Sequence, residues 1–208
     1  MLHTLYINLE HRTDRRAHVE EQLSKFPFLK TERFNAVKLP NGALGCSISH
    51  LKCLEIAKER KWPQVLILED DIQFLNPDLF LTQLNKFMKR IKYFDVLLIA
   101  GNNMPPYIRI DDCCIKIANC NTTTGYIVNQ KYYDKLIANY KQGILGLMRE
   151  PNNKARYAID IYWKRLQTED MWFLITPPTV TQMADYSDIE GKTIDYTKLF
   201  LDIDKQKK

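Results

Sequence analysis

Apolar positions along the chain follow two alternating periods. Short runs near residues 5–9, 33–37, 65–68 and 95–100 read as strands, and segments with apolar residues every three or four positions read as helices. The first helix is expected over residues 14–26, with Asp14 at its cap and Val19 and Leu23 on one face. The stretch KLPNGALG, with Pro40, Gly42 and Gly45, is expected to be a loop, so the second helix is placed from about Ser47 to just before Pro63, with Ile48, Leu51 and Leu54 inward. A third helix is expected over residues 76–91, further strands at 114–118 and 125–128, a helix beyond Asn129, another at 158–167 and a strand at 172–176. The prolines of ITPPTVTQ then stop regular structure. Strands alternating with helices predict an α/β fold of one domain over residues 1–208, with a mostly parallel central sheet and an irregular C-terminal segment.

The break at LILEDDI raises the functional question. An apolar strand buried on both faces runs without transition into Glu69, Asp70 and Asp71, three acids that repel one another. In open α/β sheets ligands sit at the carboxyl ends of strands, where these acids fall. Alternation places Glu69 and Asp71 on one side and Asp70 on the other, and two carboxylates together suit Mg²⁺ or Mn²⁺. Capping a strand and solvating its loop is the other reading of the same acids. In NLEHRTDRR, Arg12, Arg15 and Arg16 collect where the first strand hands over to the first helix. Guanidinium forks beside free helix N–H groups suit a diphosphate, though a solvated helix start has the same letters.

These residues belong to longer blocks. YINLEHRTDRR, GALGCSISHLKCLEIAKERKWPQVLILEDDI, TTTGYIVNQKYYDKL and YSDIEGKTIDY occur in that order, and together they resemble glycosyltransferase family 25. That family contains bacterial lipooligosaccharide galactosyltransferases and the galactosyltransferases of collagen hydroxylysine. The resemblance implies a GT-A-like, Rossmann-like nucleotide-sugar fold, a UDP-hexose donor and transfer with inversion. It also implies Mn²⁺ or Mg²⁺ held at the acidic motif, with Glu69 and Asp71 as the metal pair and Asp71 the direct ligand. Asn8, Arg12 and Arg15 are implied to hold the nucleotide, with Ser49 and Asp70 in the donor-binding set. Thr123, Thr124 and Gly125 are implied to touch the donor sugar, for which plain strand-turn chemistry is the alternative.

Transfer to a hydroxyl needs a carboxylate to take its proton. Asp160, among aromatic residues in RYAIDIYWKRLQ, is the first candidate, with Glu169, Asp170 and Asp188 behind it. Pairing of Asp160 with Arg156 or Lys164 on an exposed helix is the competing reading. His50 either takes part in catalysis or is a satisfied structural histidine that orients a neighbouring carboxylate. Asp185 or Asp188 is a further candidate metal ligand, since no histidine follows His50.

Composition adds limits. The 208 residues carry 30 basic and 25 acidic side chains, net +5, too mild to indicate nucleic acid, and the arginines gather at one strand end instead of forming a stripe. Five cysteines, with no CxxC spacing, suit reduced thiols. The longest pure apolar run, residues 96–100, is far too short to span a bilayer. The start of the chain does not read as a signal peptide, so a cytoplasmic or membrane-peripheral enzyme is expected, with a glycan or hydroxylysine polypeptide as acceptor.

Overall fold

The computed structural model describes residues 1–187 and 192–205. Strand β1 (Leu2–Asn8) leads into helix α1 (Thr13–Ser24), which returns the chain to β2 (Leu29–Asn35), and α2 (Gly42–Glu59) crosses back to β3 (Gln64–Glu69). Both crossovers give parallel pairing, with β1 between β2 and β3.

The remaining strands make the sheet mixed, where a mostly parallel one is expected. After β4 (Ile72–Phe74) and α3 (Pro77–Arg90) come β5 (Val96–Asn103), β6 (Tyr107–Asp111), β7 (Cys114–Ile117) and β8 (Cys120–Asn129), with no helix among them. A parallel connection needs a crossover of about a dozen residues or more. Without one, β6 and β7 form an antiparallel pair, and β8 inserts antiparallel to both β3 and β5. Beyond α4 (Tyr133–Arg149) comes the short α5 (Lys154–Tyr157), and the expected helix over 158–167 is two short ones, α6 (Ile159–Tyr162) and α7 (Lys164–Glu169). Ala158, with ψ at 144°, leaves helical geometry between α5 and α6. Strand β9 (Trp172–Ile175) completes the sheet, parallel to β5 and antiparallel to β7, in the order β2-β1-β3-β8-β5-β9-β7-β6.

Regular structure resumes after the prolines. Strand β10 (Val180–Gln182) pairs antiparallel with β4, β11 (Asp185–Ser187) pairs with β12 (Lys192–Ile194), and α8 (Thr197–Leu201) follows. The edge offered by β4 supplies backbone partners that local sequence does not reveal. Among the described residues no helix is long and apolar enough to cross a membrane.

Strand β3 shows how the core is arranged. Val65 and Ile67 point into the layer formed with α2, α4 and α6, and Leu66 and Leu68 into the layer formed with α1, α3 and α8. All four are at most 3% exposed, as the unbroken apolar run predicts. That double burial fixes where the strand ends and therefore where Glu69 emerges.

Two helix starts differ from expectation. The residue at the cap of α1 is Arg12; Asp14 lies in the first turn and receives the Arg12 guanidinium at 2.8 Å. Helix α2 begins at Gly42, because the Asn41 side chain accepts the Leu44 N–H at 3.1 Å and starts the helix within the expected loop. Gly45 is consequently a helical glycine whose missing Cβ allows close approach: a Cβ there would lie 2.5 Å from the Val37 carbonyl oxygen. Gly45→Ala is expected to cost about 1–3 kcal/mol through backbone displacement, read as a lowered midpoint in urea unfolding.

Candidate functional site

A cavity of about 590 Å³ opens at the carboxyl ends of β1 and β3. Because β8 runs antiparallel to β3, its beginning reaches the same rim and brings Thr122 and Thr123 there. The start of α1 contributes Arg12 and Arg15, α2 contributes Cys46, Ser49 and His50, and α6 contributes Asp160.

Strand geometry ends at Glu69, and the next two acids lie in a turn, so the alternation expected through Asp71 does not hold. Asp70 and Asp71 both face Arg15, whose Nη1 donates to Asp70 Oδ1 at 3.1 Å and to Asp71 Oδ2 at 3.3 Å. Arg15 Nε and Arg12 Nη2 both donate to Asp185 Oδ2, at 3.0 and 2.7 Å. The two guanidinium groups thus converge on one carboxylate at the mouth of the acidic turn.

Each acid has a different environment. Glu69 Oε1 accepts from Thr123 Oγ1 at 2.6 Å and lies 3.2 Å from His50 Nε2, and Oε2 accepts from Gln182 Nε2 at 3.2 Å. Burial opposes its charge, but the hydrogen bond and charge of His50, with Thr123 after it, pull its pKa below the ordinary value. Asp70 Oδ2 accepts from Asn8 Nδ2 at 2.7 Å, and burial raises its pKa. Asp71 is pushed up to about 8, first by burial and then by Glu69, against the pull of Arg15. Its Oδ1 is buried and has no hydrogen-bond partner among the described residues. Asp71, on losing its proton, and Glu69 could hold a divalent cation, whose preferred ligands are carboxylate oxygens.

Asp160 is half-buried, and desolvation of its carboxyl is the main cause of its raised pKa. Its Oδ2 accepts the Thr122 N–H at 3.0 Å, and no ion pair joins it to Arg156 or Lys164 among the described residues. Thr122 has φ at 74°, a left-handed conformation that costs a side-chain-bearing residue roughly 1–2 kcal/mol. The bond to Asp160 helps keep it there. Of the neighbouring aromatics, Trp163 is core, T-shaped against Tyr126 and Trp172.

Arg12, Arg15, Ser49, His50, Glu69, Asp70, Asp71, Thr123 and Asp160 therefore line one cavity. Asn8 stands behind it, with its amide spent on Asp70, the Arg12 carbonyl and Arg33. Thr124 and Gly125 do not line it. The Cα of Gly125 packs where a Cβ would meet Ile99 at 2.8 Å, so this glycine serves the core. Ser49 Oγ donates to the Gly45 carbonyl and accepts the Val37 N–H, bracing α2 against the preceding loop. Glu169 and Asp170 face Lys135, outside the cavity lining. Asp188 lies outside the described residues. Sequence reasoning missed Thr122, Cys46 and Gln182; only Cys46 carried a signal, four residues before His50 on one helix.

Residues 26–161 match the model of the family described as Glycosyltransferase family 25 (LPS biosynthesis protein). No curated protein matches the chain in sequence. Among solved structures, it resembles the mannose-1-phosphate geranyltransferase of Thermus thermophilus, with a TM-score of 0.52 and 9% identity over 84% of this chain and 73% of that one. It also resembles the glycosyltransferase GlyE of Streptococcus pneumoniae, with a TM-score of 0.52 and 10% identity over 84% of this chain and 45% of that one. At such identities the likeness shows the shared GT-A-like α/β fold.

The raised Asp71 pKa has a definite sign in stability. The folded protein keeps a proton that the unfolded chain releases above the usual carboxylate range, so metal-free stability falls as pH rises from about 4 to about 8. The slope from this one group reaches at most about 1.4 kcal/mol per pH unit, and Asp70 and Asp160 add to it in the same direction. Chemical denaturation at several pH values is expected to show this decline, and Asp71→Asn to flatten it.

Proposed function

The chain belongs to glycosyltransferase family 25, enzymes that transfer a sugar, and from its cavity we propose a metal-dependent inverting hexosyltransferase using UDP-galactose. UDP-glucose is the alternative donor, since the two differ at one hydroxyl. A hydroxyl of a glycan or of hydroxylysine is the acceptor. The observation that carries this reading is the half-buried Asp71 carboxyl, whose buried Oδ1 has no hydrogen-bond partner among the described residues, set beside two converging arginines.

In this reading Arg12 and Arg15 bind the donor diphosphate in the position that the Asp185 carboxylate takes against them. Asp71 and Glu69 would hold Mn²⁺ or Mg²⁺, which supplies positive charge against the departing UDP. His50 and Thr123 keep Glu69 ionised and oriented. Asn8 holds Asp70, and Asp70 in turn holds Arg15, so the nucleotide is gripped through a braced guanidinium and not through Asn8 itself. Asp160 takes the proton of the acceptor hydroxyl as that oxygen attacks the face of the sugar opposite UDP. Its desolvation, which raises its affinity for a proton, suits that task.

Calorimetric titration of UDP-galactose and UDP-glucose, with and without Mn²⁺, tests the assignment with two variants. Asp71→Asn is expected to abolish the metal-dependent part of donor binding. Asp160→Asn is expected to keep donor affinity within about threefold while turnover falls about 10²–10⁴-fold. Failure of both donors to bind with metal present overturns the proposal.

A further inference from the structure

We propose that Cys46, His50 and Glu69 form a site for a thiophilic divalent cation of the Zn²⁺ class, in the wall of the cavity. Cys46 and His50 stand four residues apart on α2 and so project from the same helix face, toward the end of β3. Cys46 Sγ, His50 Nε2 and a Glu69 carboxylate oxygen all lie within 4.8 Å of one another. Glu69 Oε1 is 3.2 Å from His50 Nε2 and 4.0 Å from Cys46 Sγ. Tetrahedral zinc, with bonds of about 2.0 Å to nitrogen and oxygen and about 2.3 Å to sulfur, sets its ligand atoms about 3.3–3.6 Å apart. Small side-chain rotations cover the difference, with no movement of helix or strand.

The donor types select the ion. Thiol, imidazole and carboxylate form a mixed soft set that favours zinc over manganese or magnesium, which prefer oxygen alone. All three residues line the cavity, which leaves a fourth position for water. Cys46 is half-buried while the other four cysteines are buried, so its thiol is the one an incoming ion meets. On binding, the sulfur–metal bond replaces the S–H bond and the proton leaves to solvent.

Behind the site, the second nitrogen of His50 is anchored as a metal-bound histidine requires. His50 Nδ1 lies 2.8 Å from the Tyr126 hydroxyl, and the Tyr140 hydroxyl lies 3.1 Å from that of Tyr126. A hydroxyl both donates and accepts, so Tyr126 serves either tautomer. It donates to Nδ1 when Nε2–H faces Glu69, and it accepts from Nδ1–H when Nε2 takes the ion. Gln182 on Oε2 and Thr123 on Oε1 hold the Glu69 carboxylate in place. A rival cluster, Asp111, Asp112 and Cys113, is weaker as a site, because Arg90 and Lys86 already neutralise its aspartates. Glu69 also belongs to the pair proposed above for Mn²⁺ or Mg²⁺, so a thiophilic ion at Cys46, His50 and Glu69 competes with an ion at Glu69 and Asp71 and does not sit beside it.

The test is titration of the metal-free full chain with Co²⁺, following the near-ultraviolet thiolate-to-cobalt absorption, with no nucleotide present. A band saturating near one equivalent is expected in the wild type, in Asp71→Asn and in Cys113→Ser, and Zn²⁺ is expected to bleach it. Cys46→Ser, nearly isosteric, is expected to lose the band and to weaken Zn²⁺ binding by at least about tenfold in calorimetry. Absence of the band in the wild type, its survival in Cys46→Ser, or its loss only in Cys113→Ser overturns the proposal. Because no donor is used, these outcomes are separate from success or failure of UDP-hexose binding.

Discussion

Three consecutive carboxyl groups, Asp70 buried and its two neighbours half-buried, crowd beside one guanidinium and set the terms for this molecule. Glu69, Asp70 and Asp71 are 21%, 9% and 15% exposed at their side chains, and desolvating each charge costs several kcal/mol unless a partner offsets it. Arg15 meets two of them, Asn8 supports one, and His50 with Thr123 supports the third. One positive charge between Asp70 and Asp71 is too little to keep both ionised next to Glu69. The proton therefore settles on Asp71, whose Oδ1 has no hydrogen-bond partner among the described residues. A site with charge and coordination still to be completed is what separates this strand end from a solvated loop.

The mixed sheet is what makes the arrangement possible. With a parallel neighbour, β3 would have had another strand's carboxyl end beside Glu69. The antiparallel insertion of β8 brings the beginning of a strand there instead, and with it Thr123 for Glu69 and the left-handed Thr122 for Asp160. Short β4 pairs with β10, which delivers Gln182 to Glu69 from a segment more than a hundred residues away in sequence. Parallel units supply the arginines and the His50 helix, antiparallel additions supply the hydroxyls and the amide, and α6 supplies the candidate base.

Much of this was legible in the letters. Apolar periods located the main strands and helices, and the unbroken run before Glu69 indicated burial on both faces, which β3 shows. The arginine and acidic blocks were legible as two halves of one candidate ligand site at the strand ends, but not as the direct ion pairs that Arg15 makes with Asp70 and Asp71. Less was legible where side chains act at long range. Nothing local distinguishes Asn8 as a brace for Asp70 from Asn8 as a reader of the nucleotide, since an amide can do both. Two glycines have packing roles that the letters do not show: Gly45, expected in a loop, meets the Val37 carbonyl inside a helix, and Gly125, which the family resemblance implies touches the sugar, packs against Ile99 in the core. The pairing of β10 with β4 depends on an edge that only the folded chain presents.

In the proposed reading, a divalent cation takes over from the proton on Asp71. Calorimetric titration of Mn²⁺ in the presence of UDP at pH 7, repeated in buffers of different ionisation heat, tests it directly. With Asp71 held up to about 8, binding is expected to release close to one proton per ion, so the observed heat changes linearly with that of the buffer, and Asp71→Asn removes the dependence. Failure of Mn²⁺ to bind, or binding with a heat independent of the buffer, would contradict the account.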